Sequence, residues 1–495
     1  GDKANDATRV NGSQLKVKVV GEGGNLGLTQ LGRIEAARHG VKLNTDAIDN
    51  SAGVDTSDHE VNIKIALDAA AKSGRLDEQA RVALLRDMTD EVAADVLQDN
   101  YSQNVVLGNA RRGAPSLVTV HQRMIRQLEH DGLLDRALEF LPDDEEFATR
   151  RAAGEALTSP ELAVLLAYGK ISLLAELNEC ELSEDSWFQR TLVDYFPPRM
   201  RTDFSEEIRT HPLSGQIINT EITNELLNIG GITFVFRAVE ETGATAEQVV
   251  RAALAAIEVF SIDEMWQWIN ELDNQVPTTA QSALQLETRR LLDRATRWFL
   301  QTRTGDIDIA EEVAYFHPVV SKHAHGVSSM LQGNEAARYE RLTERFIEAG
   351  APHNLARQAA SSLDVFTLLD ITDICAKTGE PSDTAIRLYF TLSDRYDMDR
   401  TLLRITSLTR GDRWTALARQ ALRSDLYQAI AALTVSIIND TEAIQSPGDR
   451  IYAWEEANAE GVARARATLE EINSVEDPDL ATLSVALRVL RNLIP

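Results

Sequence analysis

The chain has 495 residues, 43% of them hydrophobic, enough for a large core and, at roughly 150 residues per domain, for about three domains. Its 77 acidic and 50 basic residues leave a net charge of −27, which argues against a nucleic-acid partner, whose phosphates need clustered Lys/Arg, and against an anionic membrane surface. The longest charge-free stretch, Leu426 to Asn439, has 14 residues and several polar ones, too short to span a bilayer.

Composition divides the sequence. Nine of the 27 glycines lie in the first 60 residues, and no proline occurs before Pro115. Residues 1–120 carry a net charge of −3, so the other 375 carry −24. The first residues, Gly1-Asp2-Lys3, lack both Met and an apolar signal segment, and are expected to be a tag remnant or a cut inside a longer protein. Only Cys180 and Cys375 are present, too few for a disulfide framework or a Cys-rich zinc site, which points to a reducing, cytoplasmic compartment.

Leu15 to Val20 alternates and then turns apolar, the pattern of a strand entering a buried sheet. Gly21 to Gly27 is a tight turn, Thr29 caps a short helix over Leu31 to Arg38, and Val41 to Asn44 reads as a second strand. Strand, loop, helix and strand make the βαβ unit of an open parallel sheet, whose ligands bind at the carboxyl ends of strands. Glu22–Asn25 and a polar loop, Asp46–Ser57, fall there. Helix patterns dominate from Asp58 onward. His59 to Lys72 and Arg75 to Asp99 read as helix, and Thr158-Ser159-Pro160-Glu161 is a capping box with proline in the first turn. Gly243–Phe260, Gln281–Gln301, Asn334–Ala349, Asp383–Leu392, Arg413–Asn439 and Glu455–Ile472 read likewise. Pro197, Pro198, Pro212, Pro277 and Pro318 are expected in loops. No repeat of 30 to 50 residues recurs. The expected fold is α/β followed by all-α: the end of a Rossmann-like nucleotide-binding domain, then a large irregular helical domain.

The turn Gly21-Glu22-Gly23-Gly24-Asn25-Leu26-Gly27 lies between strand and helix, as a dinucleotide-binding turn should. Its glycines at 21, 23 and 27 miss the fingerprint spacing, and Asp46 is the nearest acidic residue for a ribose. The high glycine content still implies close backbone approach, because glycine costs folding entropy. Four carboxylates between Asp49 and Glu60 fail the EF-hand spacing. Small residues and amides at Asn50 to Gly53 suit a binding loop, whereas Asp55, Thr56 or Ser57 simply capping a helix is the plainer reading. His317, His323 and His325 have loop-like spacing and lack the i, i+4 pairing of a helical metal site, so no metal is assigned. Trp266, Trp268, Trp298, Phe260 and Phe299 read as core aromatics, and Arg111-Arg112 and Arg289-Arg290 as solvated faces. There is no G-x-S-x-G elbow, P-loop or H-E-x-x-H helix.

Together, Lys18 to Asn25 and Asn44 to Lys64 closely resemble the large bacterial NAD-specific glutamate dehydrogenases. The resemblance continues through Leu138–Pro142, Leu165–Tyr168, Tyr195–Pro197, His211–Leu213, Thr233–Arg237 and Arg294–Phe299. Glu22 to Asn25 matches the E-G-A-N of small glutamate dehydrogenases with Gly24 replacing alanine. Asn50 to Ser57 matches N-A-G-G-V-x-x-S with Ser51 and Ala52 departing. The resemblance implies that Gly23 and Asn25 meet the cofactor, Asn25 near the nicotinamide ribose and the substrate. It puts Asn50 at the nicotinamide end and Ser57 on the side-chain carboxylate of glutamate. Asn5-Asp6 is similar to a further strip near the cofactor. The family reaction is reversible oxidative deamination of L-glutamate to 2-oxoglutarate and ammonium with NAD, in a homo-oligomer (tetramer or hexamer). The family's catalytic lysine and aspartate precede Glu22–Asn25. Lys3, Lys16 and Lys18 stand in the wrong context, so no catalytic residue is assigned. Residues 1–125 would then be the carboxyl-terminal part of the catalytic, NAD-binding domain and 126–495 a helical carboxyl-terminal domain. Such a fragment is expected to be inactive alone. The alternative is a non-catalytic helical assembly or regulatory scaffold that keeps a degenerate Rossmann segment.

Overall fold

The structure, a computed structural model, describes residues 3–303, 305–408, 412–441 and 444–494, with side chains from Asp6 onward. The side chain of Asn5 therefore lies outside the described residues. The chain divides into two compact units, Gly1–Glu240 with Ala244–Val250, and Glu241–Gly243 with Arg251–Pro495.

The first unit overturns the expected α/β fold. Among the described residues there is no strand, and the only β pairing is one isolated parallel bridge between Val19 and Lys42. Two hydrogen bonds make it: Val20 N–H donates to Lys42 O at 3.0 Å, and Lys42 N–H to Lys18 O at 2.9 Å. A parallel sheet needs neighbouring strands and cover on both faces. Here Val17 and Val19 are 50% and 64% exposed, and only Leu15 and Val20 lean on the small core of Ala36, Val41 and Leu43. The two segments stay extended beside each other, no Rossmann-like domain forms, and the fold is all-helical.

Helix α1 (Gln30–Arg38) starts where Thr29 Oγ1 accepts the Gly32 N–H. A Cβ on Gly12 would stand 2.3 Å from Gly32 O, so only glycine lets the preceding turn lie on α1. Helix α2 (Ser51–Lys72) begins eight residues before the expected start, and α3 (Thr89–His130) carries Pro115 inside it. Helices α4 (Ser159–Asn178), α5 (Gln189–Tyr195) and α6 (Ser214–Gly230) complete the part of this unit that matters below. α4 packs between α3 and α6 with Leu162, Leu165, Leu166, Leu173 and Leu177 buried.

The capping box of α4 forms as the sequence predicts. Thr158 donates from both its N–H and its hydroxyl to Glu161 Oε2, each at 2.7 Å. Glu161 is fully buried, and the buried Arg150 donates to the same oxygen at 3.0 Å. Removing one partner of such a pair strands a buried charge. Arg150→Met is expected to destabilise this unit by about 3–5 kcal/mol in urea unfolding, and a loss below about 1 kcal/mol would mean that the pair is dispensable.

The second unit contains α7 (Thr278–Thr302), α8 (Ile309–His323), α9 (Gly333–Glu348), α10 (His353–Val365), α11 (Leu368–Thr378), α12 (Ser382–Arg395), α13 (Met398–Ser407) and α14 (Arg413–Asp440). The expected helix over Glu455–Ile472 divides at Asn458 into Pro447–Ala457 and Ala459–Ser474. Pro318, expected in a loop, sits inside α8, where burial of Phe316 and Val320 on either side offsets the lost hydrogen bond. Trp266, Trp298 and Phe299 are core residues, but Trp268 is 42% exposed. Trp298, Phe299 and Phe316 pack edge to face, and Trp298 Nε1 donates to the buried Asp370 at 2.7 Å.

Buried acids gather around Arg338, which pairs with Asp364 and, at 2.9 Å, with Asp399. Nearby Glu335 accepts from Ser393 Oγ at 2.7 Å. These groups line a cavity of about 460 Å³ with Leu342, Leu402 and Tyr427. Burial pushes the Glu335 carboxyl up to about 8. The folded unit thus holds a proton that the unfolded chain releases near the ordinary carboxylate value, and stability falls as pH rises from about 4.5 to 8. Glu335→Gln removes that penalty. The variant should gain of order 2 kcal/mol over the parent at pH 8 relative to pH 5 in paired thermal melts, and an identical difference at both pH values would contradict this reading.

Candidate functional site

The glycine turn owes its shape to buried charge. Glu22 accepts from Arg33 Nη2 at 2.7 Å and Nε at 2.8 Å, and both side chains are buried. Arg33 also stands 3.1 Å from Asp46, so one guanidinium ties the turn to the segment after Asn44. The hydrogen bond that it donates to Glu22 raises the Arg33 guanidinium against burial. Burial pushes the Asp46 carboxyl up, but the Leu26 N–H, Arg33 and the Ala47 N–H outweigh it and hold the group below its ordinary value. Backbone donors close the turn: Leu26 N–H to Asp46 at 3.0 Å, Glu22 N–H to Asp49 at 2.8 Å and Leu28 N–H to Glu22 at 2.9 Å. Leu26 is held with φ +62°, a conformation that usually needs glycine. A Cβ on Gly23 or Gly24 would meet nothing within 4 Å, so nothing inside the chain requires these glycines, and the exposed outer face of the turn is open to close approach.

The structure brings Asn25 and Asn50 together, Asn50 Nδ2 donating to Asn25 Oδ1 at 2.8 Å. Gly53 permits this, because a Cβ there would lie 2.6 Å from Asn50 Oδ1. Asn100 on α3 supports the segment from behind, donating to Ile48 O and Ser51 Oγ, each at 2.9 Å. The expected polar loop over Asp46–Ser57 is not a loop. Asp46–Asp49 is a helical turn and α2 starts at Ser51, so Asp55, Thr56 and Ser57 lie within the helix and do not cap it. Ser57 lies in the second turn of α2, seven residues after Asn50, which stands just before the helix. It is exposed.

On the opposite face of α2, sequence reasoning missed a buried polar cluster. Asp55 and His59, one turn apart, face Asp99 of α3, with one ligand-capable atom of each within 4.8 Å of the others. Burial and the facing Asp99 push the Asp55 carboxyl up to about 7. Burial also raises Asp99 and lowers His59. Lys170 of α4 is pushed down to about 8 by burial against Asp99, Glu221 and Asp55, and Glu221 of α6 up to about 8 by burial and those aspartates. Tyr195 stacks on His59, ring centroids 4.4 Å apart, and its hydroxyl accepts from Asn62 at 2.9 Å. The i, i+4 spacing of Asp55 with His59 and of Asp95 with Asp99 is the signal that a helical reading of both segments would have used. The expected histidine cluster is not one site: His317 bonds to Val259 O at 3.2 Å, whereas His323 bonds to Ser382 Oγ at 2.8 Å.

Residues 154–492 match the family model described as glutamate dehydrogenase, C-terminal. The chain belongs to the glutamate dehydrogenase family. Residues 1–110 match the model of the bacterial NAD-glutamate dehydrogenase catalytic domain, as the two motifs implied. The chain is 41% identical to the NAD-specific glutamate dehydrogenases of Mycobacterium tuberculosis and Pseudomonas aeruginosa, and 36% identical to that of Halomonas elongata. Each match covers the whole chain and about 30% of the relative's length. Two of the resembling segments meet on α2: Tyr195 through its bond with Asn62 Nδ2, and His211 through Nε2, 3.2 Å from Asn62 O.

Arg33 is the test of how the turn is built. Arg33→Met leaves Glu22 and Asp46 without their cation, and hydrogen exchange at the Leu26 and Leu28 amides should accelerate by at least a hundredfold, about 3 kcal/mol of lost protection. Unchanged exchange there would show that the backbone alone holds the turn.

Proposed function

We propose that this chain is the carboxyl-terminal part of an NAD-dependent glutamate dehydrogenase, whose reaction is the reversible oxidative deamination of L-glutamate to 2-oxoglutarate and ammonium. The family membership and the names of the relatives support the reaction. The observation that carries the site is the bond between Asn25 and Asn50, with the exposed Ser57 seven residues further on in the second turn of α2. On this reading Gly23, Asn25 and Asn50 receive the nicotinamide end of the cofactor, and Ser57 donates to the side-chain carboxylate of glutamate.

The residues present fit the cofactor. The bond between the two asparagines uses the Asn50 amide N–H and the Asn25 oxygen. An Asn25 N–H and the Asn50 oxygen are then free in chemistry to serve a carboxamide, one donor and one acceptor. The bare turn at Gly23 and Gly24 lets a flat ring system approach the backbone. NAD, when bound, supplies the acceptor for the hydride lost from the substrate α-carbon. The chain's own part is to orient: Asn25 and Asn50 fix the ring's rotation, and Ser57 fixes how far along α2 the substrate reaches.

We further propose that residues 1–125 form the site-bearing part and 126–495 the helical remainder. On the same reading the assembly is a cytoplasmic homo-oligomer and the chain alone does not turn over glutamate. The partly buried free cysteines, Cys180 and Cys375, suit a reducing compartment. No described helix is long and apolar enough to cross a membrane.

The test uses the longest natural polypeptide that carries this chain. Ser57→Ala is expected to raise the glutamate KM at least tenfold with the NAD KM unmoved, and Asn50→Ala to raise the NAD KM or cut kcat by a similar factor. Both variants should keep the parent Tm, since each alters a side chain on the open face of α2. Unchanged turnover in both would overturn the site, and glutamate-dependent NADH production by the 495-residue chain at a native-like rate would overturn its proposed inactivity alone.

A further inference from the structure

We propose that Asp55, His59 and Asp99 form a binding site for one divalent transition-metal ion, zinc or manganese in class, that clamps α2 to α3. Asp55 and His59 project from one face of α2 and Asp99 comes across from α3. A ligand atom from each lies within 4.8 Å of the other two. Ligands bound at about 2.0–2.2 Å sit roughly 3–4 Å from one another, so side-chain rotation closes the set without backbone movement.

The second, independent observation is the histidine itself. His59 is only 3% exposed, its Nε2 stands 3.9 Å from Asp55 Oδ1, and its Nδ1 is buried without a hydrogen-bond partner. Asp55 Oδ2 is buried and unpartnered as well. An unsatisfied buried polar atom is costly, and two of them belong to neighbouring side chains of this cluster. Two facing aspartates add like-charge repulsion, with Asp58 and Asp95 deepening the negative field and Lys170 as an opposing cation. A dipositive ion held by one imidazole nitrogen and an oxygen of each aspartate answers that field and the unpartnered Asp55 oxygen together. One imidazole with two carboxylates suits zinc or manganese better than calcium or magnesium, which take oxygen ligands alone. The stacked Tyr195 ring fixes the imidazole plane.

The ion would be structural. It would sit on the face of α2 turned away from Asn50 and Ser57, stiffening the helix that presents them. The inference stands on the cluster alone and holds whether or not the proposed reaction does.

The experiment strips the 495-residue chain with a chelator and titrates it with Zn²⁺, Mn²⁺ and Co²⁺, following heat, thermal melting and the visible spectrum of Co²⁺. One ion per chain should bind, raising the Tm by several degrees, with a Co²⁺ spectrum that reports an imidazole ligand. Asp99→Asn and His59→Gln should each weaken binding tenfold or more and abolish the metal-dependent rise in Tm. Asp99→Asn is the control for folding: it removes the repulsion between the aspartates, so its metal-free form should melt no lower than the metal-free parent. Absence of stoichiometric binding, or equal affinity in parent and Asp99→Asn, would overturn the proposal, the second outcome assigning the ion to surface groups.

Discussion

One buried guanidinium holds the site-bearing end of the first unit together. Arg33 reaches from α1 to Glu22 in the glycine turn and to Asp46 at the start of the next segment. A buried cation between two carboxylates has few alternative positions, because each displacement exposes an unpaired charge to a low dielectric. The turn and the segment are therefore fixed relative to each other, and Asn25 and Asn50 meet as a consequence. α1 is itself anchored at its other face. Gln30 donates to Pro160 O at 3.2 Å, and Arg38 pairs with Glu146, which pairs with Arg150, which pairs with Glu161 at the head of α4. A line of alternating charges thus runs from Arg38 on α1 to the buried capping box, and with the Arg33 pairs at the other end of the helix the polar contacts do here what a sheet was expected to do.

That substitution explains where the sequence was legible and where it was not. Helix starts with local chemistry were readable: the Thr158 box, and the start of α14 at Arg413, where Asp412 accepts the Thr415 N–H at 2.8 Å. Such signals act within one turn and do not depend on partners. The strands were misread because alternation in Leu15–Val20 measures only propensity, and a strand exists only where a ladder does. Val17 and Val19 find no cover, so their pattern carries no burial. The polar run from Asp46 to Asp58 was misread for the opposite reason. Its hydrophilic side chains suggest a loop, and the buried positions that mark the helix, His59, Ile63, Ala66, Leu67 and Ala70, begin only at His59. The first eight residues of the helix, Ser51 to Asp58, therefore carry no apolar stripe by which a sequence reading could extend it. The family motifs were legible because they record side-chain identity, which survives any error about the backbone around it.

The acidity of the sequence also has a second meaning. A net charge of −27 reads as a solvated surface, but several acids are deep in the fold. In the second unit Asp364, Asp370 and Asp399 are buried beside Arg338 and Trp298, and Glu335 keeps its proton to about pH 8. Buried carboxyls of this kind are stable only as hydrogen-bonded neutral groups or beside a cation. Each is therefore more a constraint on which helices can adjoin than a contribution to solubility, and hydrophobic patterning alone would not reveal the pairing of α9 with α10 and α13.

Helix α2 joins these arguments. Its start must satisfy two environments at once, an open side with Asn50 just before the helix and Ser57 within it, and an inner face carrying the partly buried Asp55 and the buried His59. Gly53 lies between them, and the space it leaves is filled by the amide of Asn50. A side chain there would push Asn50 off Asn25, so the glycine is needed for what the open face presents, although in a helix interior it costs about 1 kcal/mol against alanine. The buried face must recover that loss by holding the helix start rigid without an apolar core beneath it. Tyr195, Asn62 and His211 do part of this by stacking and hydrogen bonding. The acidic cluster at Asp55 and Asp99 does the rest only with a counter-charge, whether a shared proton or a bound ion. A helix that presents polar groups outward and rests on polar groups inward is held by directional interactions on both sides. That suits the proposed site, whose work would be to fix the orientation of two ligands.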